Sequence, residues 1–573
     1  MMVISNTRRI DETDYAGRWR FLLIAMMCAM LVLVGRAIKL QVLDRQFLIQ
    51  QGDMRHVGVV PVPAHRGRIL DRNGELLAIS SPVKSVWVNP KEFEASDQDV
   101  KALGDAIGMS PKEIRRRTSN SGRGFVYLKR RMSPEMADQA IAIGIPGVYA
   151  EREYQRYYPT GEVAAHMLGF NNIDDSGQEG MELAYNDWLK GVPGAKRIMR
   201  DGKRRIIEDV EVLRMPSAGK DLKLSIDQRL QYLAYRELKR TVLQHRAKSG
   251  TLVLLDSESG EVLAMANQPS FNPNSRARIS GNVSRNRAIT DLFEPGSTIK
   301  PFGVACAMEL GKIGPGTVFN TSPGQLRVGS NVVKDVHNYG VLDVAHILQK
   351  SSNVGMTKIA LNLPSGKLWA FYNNLGFGQG LETGFPGEAS GRLSNHQNWG
   401  PFHQATLSFG YGLSTSALQL ARAYLSLANG GEIPMVGLLK REKPPEVHRI
   451  MSAKTANSVK TMLEAVVTRE GTAIKAAIPG YRVAGKTGTV KKSGAHGYQQ
   501  GAYLSLFAGM APASKPKLVM IVMIDNPTAG EYYGGAVAAP VFSTVMEGAL
   551  RLLNIAPDQE EPPVITVAQE GAI

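Results

Sequence analysis

The chain has 573 residues, which is too long for one hydrophobic core and predicts two or three domains. Its apolar fraction of 43% and charged fraction of 21% exclude a collagen-like or wholly disordered protein. The formal net charge of +16 favours an anionic membrane face or an anionic polymer as partner. No dense Lys/Arg cassette with interleaved aromatic residues and no nucleic-acid-binding motif occurs, so we expect no nucleic acid partner.

Cysteine and histidine usage predicts neither a disulfide nor a metal. The two cysteines are Cys28 and Cys306, and Cys28 lies in an apolar run, which argues against an intramolecular disulfide. The ten histidines form no HExxH motif and have no cysteine partners at ligand spacing. We therefore expect no metal and no other cofactor.

The first predicted element is an apolar helix near the N-terminus. The run FLLIAMMCAMLVLVG carries no charge, and AIKL continues it. A signal peptide has an apolar region of this length, but no small-x-small cleavage site follows. Arg18 and Arg20 precede the run, which favours a cytoplasmic N-terminus. The pattern predicts an uncleaved signal-anchor over 21–40, and the alternative is a buried core helix.

The following stretch mixes strand and helix signals. The tetrapeptide DRNG at 71–74 predicts a turn between two apolar strands. Residues 97–145 have a helical, amphipathic pattern that SNSGRG interrupts, and 156–170 is expected to end a loop and begin a short helix.

Beyond residue 217 the pattern changes. A polar loop is followed by a strand and by a helix with Leu230, Leu233 and Leu238. Two strand pairs, within 251–268 and 503–525, enclose a long and mostly helical stretch. Strands at both ends with helices between them predict an antiparallel sheet with helices packed on it, which is an α+β fold.

A Ser-x-x-Lys motif occurs four times, so the match alone carries little weight. The context of Ser297 and Lys300 is distinctive, because Pro301 is compatible with a helix only if that helix begins near Ser297. Ser297 would then lie at a helix N-terminus, where backbone N–H groups stabilise developing negative charge. Lys300 would return to the same helix face within reach of the hydroxyl. The alternative is a capping serine and a surface lysine.

Two downstream motifs supply the further groups that such chemistry needs. Serine is a weak nucleophile, and a lysine deprotonates it only when burial or a second cation lowers the lysine pKa. The segment SSN at 351–353 is the one Ser-x-Asn after Ser297, and KTG at 486–488 is the one Lys-Thr-Gly. KTG precedes the closing strands, where an exposed edge can bind an extended peptide, and its glycine would let substrate backbone approach closely. A loop asparagine and a strand-end lysine are the alternatives, but three motifs in this order indicate a catalytic site.

The motif triplet resembles that of penicillin-binding transpeptidases and serine β-lactamases. Further stretches are similar to class B penicillin-binding proteins, and most of all to FtsI-type septal transpeptidases of Gram-negative bacteria. These stretches are RGRILDRNG, RYYPTGEVAAHMLGF, GQEGMELAYNDWL, LSIDQRLQ, SFGYGLSTSALQLARAYLSLANGG, GFPGE and YYGGAVAAPVF. The resemblance extends from the apolar run to about residue 555.

The resemblance implies an α+β transpeptidase domain of the serine β-lactamase-like fold, in which helices flank an antiparallel sheet. An elongated, non-catalytic N-terminal pedestal of the dimerisation type and one transmembrane helix would precede it. The expected bounds are 1–20 for a cytoplasmic tail, 21–40 for the anchor, 41–222 for the pedestal, 223–555 for the transpeptidase domain and 556–573 for a disordered tail. Arg66, Gly67, Asp71 and Gly74 match a pedestal motif and are expected to be structural.

The resemblance also implies the chemical roles of five residues. Ser297 would be acylated by the penultimate D-Ala of a stem pentapeptide, which releases the terminal D-Ala. Lys300 would take the serine proton, and Ser351 would relay a proton to the leaving amine. Lys486 would hold that hydroxyl in a cationic field, and Asn353 would orient the peptide amide.

Substrate and β-lactam binding would fall to Thr487, Gly488 and Thr489. By the same resemblance the two threonines would bind the substrate carboxylate. The oxyanion hole would consist of the backbone N–H groups of Ser297 and Thr489, and loss of one such donor typically costs about 10²–10³ in rate.

Partners and location follow from the resemblance as well. It implies the bacterial inner membrane at the division septum, a periplasmic catalytic domain, stem pentapeptide and acceptor amine as substrates, and covalent inhibition by β-lactams. A polytopic FtsW-type glycosyltransferase and other division proteins would be its partners. One alternative is a β-lactamase or β-lactam sensor, although the long N-terminal region and the lack of a second carboxylate base argue against it. Another is a non-catalytic scaffold or a conditionally used paralogue.

Overall fold

The computed structural model describes residues 15–48, 57–120, 122–200, 206–275, 281–494 and 497–559. Packing within the chain defines two compact units, whose segments alternate along the sequence. Unit 1 consists of 1–64, 84–152 and 192–217, and unit 2 consists of 65–83, 153–191 and 218–573. The sequential domain bounds given above stay a prediction.

The N-terminal apolar run is helical. An α-helix spans Tyr15–Ile38 and continues as the π-helical turn Lys39–Leu43. Residues 17–43 contain an 18-residue window with a mean hydropathy of 2.5, and none of the 27 residues is buried. A helix of this length is about 40 Å long, against about 30 Å for the hydrocarbon core of a bilayer. The helix is therefore long and apolar enough to cross a membrane, in agreement with the span expected over 21–40.

Unit 1 contains a three-stranded antiparallel sheet and a group of helices. The sheet has the order Val57–Val62, Gly194–Arg200, Ile206–Arg214. The helices each begin after a serine whose hydroxyl caps the first turn, and they are Asp97–Ile107, Pro111–Thr118 and Pro134–Ala142. Their buried side chains, including Val100, Leu103 and Ile114, form a separate small core.

Two strands contradict the sequence expectation for this part of the chain. Val126–Met132 lies inside the segment expected to be helical, and Val148–Tyr157 reaches into the segment expected to be a loop. Val126, Tyr127 and Leu128 are β-branched, aromatic and aliphatic residues that suit a half-buried pleated surface. Pairing with a distant strand determines the conformation of Val126–Met132, although the neighbouring residues have helical periodicity. The sequence of one segment does not show such pairing.

The RGRILDRNG motif is structural, as expected, and its contacts lie within unit 2. Arg66 and Arg156 both bind the carboxylate of Glu182, at 2.7 and 2.6 Å, and all three side chains are fully buried. Asp71 accepts from the backbone N–H of Gln228 at 3.0 Å, where a long helix begins. These buried and paired charges fix the segment before that helix.

A five-stranded antiparallel sheet organises unit 2, which confirms the predicted α+β fold. Its order is Val262–Gln268, Ser249–Asp256, Leu518–Asp525, Gly497–Ala511, Ala484–Gly494. The last of these, Ala484–Gly494, carries the Lys-Thr-Gly motif and is here named the KTG strand. It forms an edge of the sheet, as the sequence predicted.

Helices cover this sheet. Successive residues of Ser249–Asp256 and Leu518–Asp525 are buried, which requires cover on both faces. The helices of at least seven residues are Gln228–Gln244, Lys300–Glu309, Val344–Lys350, Asn353–Leu361, Ser365–Asn374, Pro401–Ser408, Ala417–Ala428, Ala453–Glu464 and Ala539–Leu552. Short hairpins pair Val318–Asn320 with Val341–Asp343, Gln325–Val328 with Asn331–Lys334, and Glu432–Pro434 with Val447–Arg449. From residue 560 onward, the expected disordered tail lies outside the described residues.

Candidate active site

Ser297 lies in a helical turn that directly precedes an α-helix. The 3-10 turn Gly296–Ile299 leads into the helix Lys300–Glu309, here named the nucleophile helix, with Pro301 in its first turn. This start agrees with the argument from Pro301. Ser297 is half-buried, whereas the side chain of Lys300 is fully buried.

Two glycines allow the turn Gly296–Ile299, here named the nucleophile turn, to approach its neighbours. Gly296 has φ of 54°, and its N–H donates to the carbonyl of Gly410 at 3.1 Å. A Cβ atom on Gly410 would lie 2.1 Å from the Gly296 oxygen, and one on Gly296 would lie 2.3 Å from a methyl carbon of Val490 in the KTG strand. The small size of both residues therefore places Ser297 beside that strand.

Ser351 stands between two helices in a conformation that is rare for a residue with a side chain. Its φ is 61°, and it ends the helix Val344–Lys350. Ser352 then caps the helix Asn353–Leu361, here named the SSN helix, by accepting from the N–H of Gly355 at 2.9 Å. The strained residue between two helix ends turns the Ser351 side chain toward the buried lysines.

The structure brings the three sequence motifs together at the Ser351 hydroxyl. Lys300 donates to this oxygen at 3.1 Å, and Lys486 donates to it at 3.0 Å. Lys300 also donates to the Ser351 carbonyl and, at 2.8 Å, to the Asn353 side-chain oxygen. An ammonium has three N–H groups, and these three acceptors use all of them. The hydrogen bonds of Lys300 thus run to the SSN segment rather than to Ser297.

Burial and mutual repulsion shift the proton equilibria of both lysines. Full burial lowers the pKa of Lys300 well below its usual value, and the nearby charge of Lys486 lowers it further, against an opposing effect of Asp335. Burial lowers the pKa of Lys486 to about 7. At neutral pH a lysine of this kind is partly unprotonated, so it can accept a proton from a serine hydroxyl.

The KTG strand presents its two threonines in different surroundings. Thr487 is buried, and its hydroxyl lies 2.8 Å from that of Thr472 and 3.4 Å from the Lys486 amine. Thr489 is half-buried and accepts from the N–H of Gly534 at 3.1 Å. A Cβ atom on Gly488 would lie 3.1 Å from a methyl carbon of Thr298, so this glycine lets the strand pack on the nucleophile turn.

Two further residues of the site were not found in the sequence. Thr472 contacts Thr487, and Asp335 accepts hydrogen bonds from the first residues of the SSN helix. Neither belongs to a motif, and each is far in sequence from the residue that it contacts. The one available signal is that a helix N-terminus close to buried lysines favours a carboxylate nearby.

Comparison with known proteins agrees with this geometry. A family model described as the penicillin binding protein transpeptidase domain matches residues 250–547, and one described as the penicillin-binding protein dimerisation domain matches 61–224. The probable peptidoglycan D,D-transpeptidase PbpC of Pseudomonas aeruginosa is 42% identical over 96% of this chain and 99% of its own length. The peptidoglycan D,D-transpeptidase FtsI of Escherichia coli K12 is 43% identical over 96% of this chain and 95% of its own.

A solved structure is similar to the part of the chain that carries the three motifs. The transpeptidase domain of Burkholderia pseudomallei penicillin-binding protein 3 is 42% identical, with a TM-score of 0.55 over 59% of this chain and 98% of that domain. Both the motif geometry and the pair of matched domains point the same way. The chain belongs to the class B penicillin-binding proteins.

Proposed function

We propose that this chain is a peptidoglycan D,D-transpeptidase that cross-links stem peptides during septal cell-wall synthesis through a serine acyl-enzyme. The observation that carries the proposal is the Ser351 hydroxyl, which accepts from both buried lysines beside the nucleophile turn. This arrangement supplies a base and a proton relay without a histidine.

The first half-reaction transfers the stem peptide to the enzyme. The Ser297 oxygen attacks the carbonyl carbon of the penultimate D-Ala while Lys300 takes the serine proton. The peptide bond to the terminal D-Ala breaks, and Ser351 gives its proton to the leaving amine. Lys300, 3.1 Å from the Ser351 oxygen, returns a proton to it, so that D-Ala leaves and an ester to Ser297 remains.

The second half-reaction consumes the ester. An amine of a neighbouring stem peptide attacks the ester carbonyl, a new amide bond forms, and the Ser297 oxygen leaves with the proton of that amine. In both half-reactions the backbone N–H groups of Ser297 and Thr489 stabilise the oxyanion. A β-lactam mimics D-Ala-D-Ala and acylates Ser297, and the opened ring stays attached in place of a leaving group.

Substrate binding uses the edge of the sheet. Among the described strands, the KTG strand has a neighbour on one side only, so an extended stem peptide can add to its free edge. Asn353 orients the peptide amide, and Thr487, Gly488 and Thr489 receive the substrate carboxylate or that of a β-lactam. The nearby Lys486 ammonium adds favourable charge for that carboxylate.

The cellular setting rests on the N-terminal helix and on the relatives. Arg18 and Arg20, which precede the apolar run, favour a cytoplasmic N-terminus and a periplasmic catalytic unit. The relatives of 42% and 43% identity include both PbpC and FtsI, so septal use is tested by locating a fluorescent fusion in dividing cells. The inner-membrane glycosyltransferase of the FtsW type and other division proteins are the proposed partners.

Intact-mass spectrometry of the full chain in detergent tests the chemistry. Benzylpenicillin is expected to give an adduct that lasts for hours on the wild type and is absent from Ser297→Ala. An adduct that disappears within seconds while penicillin is consumed would instead indicate a β-lactamase. A folded protein without an adduct would indicate a scaffold.

A further inference from the structure

Asp335 belongs to none of the three motifs, yet it contacts one of them directly. It follows the hairpin of Gln325–Val328 and Asn331–Lys334, and its own N–H donates to the Gly324 carbonyl at 2.9 Å. The hairpin thus fixes the backbone from which the carboxylate extends. The residue is only partly exposed.

The Asp335 carboxylate binds the beginning of the SSN helix. One oxygen accepts from the Ser352 hydroxyl at 2.6 Å, and the other accepts from the backbone N–H groups of Asn353 and Val354, the latter at 3.0 Å. The first N–H groups of a helix have no partner within the helix, and its N-terminus favours negative charge. Asp335 meets both needs from a separate segment of the chain.

The neighbouring residue holds the Asn353 side chain. The Lys334 carbonyl accepts from the Asn353 amide nitrogen at 3.0 Å, which leaves the amide oxygen directed at Lys300, 2.8 Å away. Residues 334 and 335 together therefore hold both the backbone and the side chain of Asn353. Ser351 lies two residues before Asn353 and is joined to it through Ser352, whose hydroxyl donates to Asp335.

Charge gives Asp335 a second effect on the site. The charged groups that act on the Lys300 amine are Lys486, which repels a proton there, and Asp335, which attracts one. Tyr339 is the other titratable group that responds to Asp335, since this carboxylate together with burial raises its pKa. Loss of the carboxylate would leave Lys300 facing Lys486 without an opposing charge.

We propose that Asp335 is a positioning residue for acylation, which holds Ser351 and Asn353 against Lys300 through the start of the SSN helix and supplies the negative charge that faces Lys300. This inference rests on the proposed roles of Ser297 and Lys300. It assigns to the hairpin, which lies outside the catalytic motifs, a direct influence on the reaction.

The test is the second-order rate of acylation by benzylpenicillin between pH 5 and 10, for the full chain in detergent. Asp335→Asn keeps the shape of the side chain and removes its charge. We expect its rate at the optimum to fall roughly ten- to a hundredfold, because the catalytic groups lose their alignment. We also expect the acid limb of the profile to move to lower pH, because Lys300 then stays neutral further into acid. A purely structural role would lower the rate and leave the limb in place.

Asp227→Asn is the matched control, since it removes a capping carboxylate from the helix Gln228–Gln244 instead. Its acid limb is expected to coincide with that of the wild type. If Asp335→Asn is folded by its melting temperature and its acid limb is unchanged, the proposal is wrong. If Asp335→Asn does not fold, Asp335→Glu tests the proposal instead. This variant retains the charge, so the proposal requires a reduced acylation rate with the acid limb of the wild type. Failure of the wild type to form any adduct would overturn the proposed function instead.

Discussion

Lys300 and Lys486 donate to one oxygen, the Ser351 hydroxyl, at 3.1 and 3.0 Å. A hydroxyl oxygen has two lone pairs, so acceptance from both amines leaves its own proton free to be donated. Two cations this close in a buried site also repel each other, which makes their protonation interdependent. The geometry therefore predicts how the site responds to substitution of Lys486 and of Ser351.

Lys486→Met removes the like charge that acts on Lys300. The pKa of Lys300 is expected to rise, so the acid limb of the acylation profile should move to higher pH. The rate at the optimum should fall by about 10²–10³, because a stabilising donor is lost. Rates of benzylpenicillin acylation as a function of pH measure both effects. Lys460→Met is the control, because Lys460 is buried but donates to the carbonyl of Ser514, at 3.5 Å. An unchanged acid limb in Lys486→Met would contradict the proposed repulsion.

Ser351→Ala and Ser352→Ala are expected to separate chemistry from stability. The first substitution removes the proposed proton relay and should lower acylation by about 10²–10⁴ with little change in the melting temperature. The second removes a helix cap and should cost about 1 kcal/mol of stability, which a urea titration detects. Equal losses of activity in the two variants at equal stability would show that Ser351 has no special role.

Gly410→Ala tests the packing behind the nucleophile. Its φ of 89° and the approach to Gly296 leave no room for a side chain, so we expect a loss of about 3 kcal/mol and a slower acylation of Ser297. Gly316→Ala is the control, because no atom lies within 4 Å of its added carbon. Thermal melting and acylation are measured on both variants. A Gly410→Ala protein with wild-type melting would rule out the close contact.

His166 predicts a pH dependence of stability that does not involve the active site. Burial lowers its pKa to about 4, from an ordinary value of 6.5. Between these values the unfolded chain holds a proton that the folded chain does not. The stability contribution is therefore complete above pH 6.5 and is lost as the pH falls toward 4, by about 3 kcal/mol.

Urea unfolding at a series of pH values measures this effect. His166→Gln should flatten the dependence of the unfolding free energy on pH between pH 6.5 and 4. If the unfolding free energy of His166→Gln depends on pH as strongly as that of the wild type, His166 is not the cause of the dependence.

Much of the site could be predicted from the sequence because its parts have local signatures. Pro301 required a helix start near Ser297, and the order of the motifs required Ser351 and Lys486 to belong to one site. Apolar strand pairs at both ends of the second half likewise predicted an antiparallel sheet, with Lys-Thr-Gly just before the closing strands, near an exposed edge. Each motif and each apolar run can be recognised from a few consecutive residues.

The remainder depends on contacts between distant segments. Helical spacing placed Lys300 near Ser297. The lysine side chain is long, however, and its amine donates hydrogen bonds to Ser351 and Asn353. Asp335 and Thr472 act through contacts with residues 15 to 19 positions further along the chain, which no local pattern reveals. The strand Val126–Met132 was missed for a related reason, since pairing with another strand determines its conformation.

The contact of Gly296 with Gly410 also limits how the protein can evolve under antibiotic pressure. Any side chain at either position would displace the turn that carries Ser297, and that turn must serve the stem peptide as well as a β-lactam. Resistance is therefore expected to arise at other positions, which contact the parts of the drug that differ in shape from the natural substrate. Inhibitors that draw their affinity from the backbone of this turn should be harder for the cell to escape.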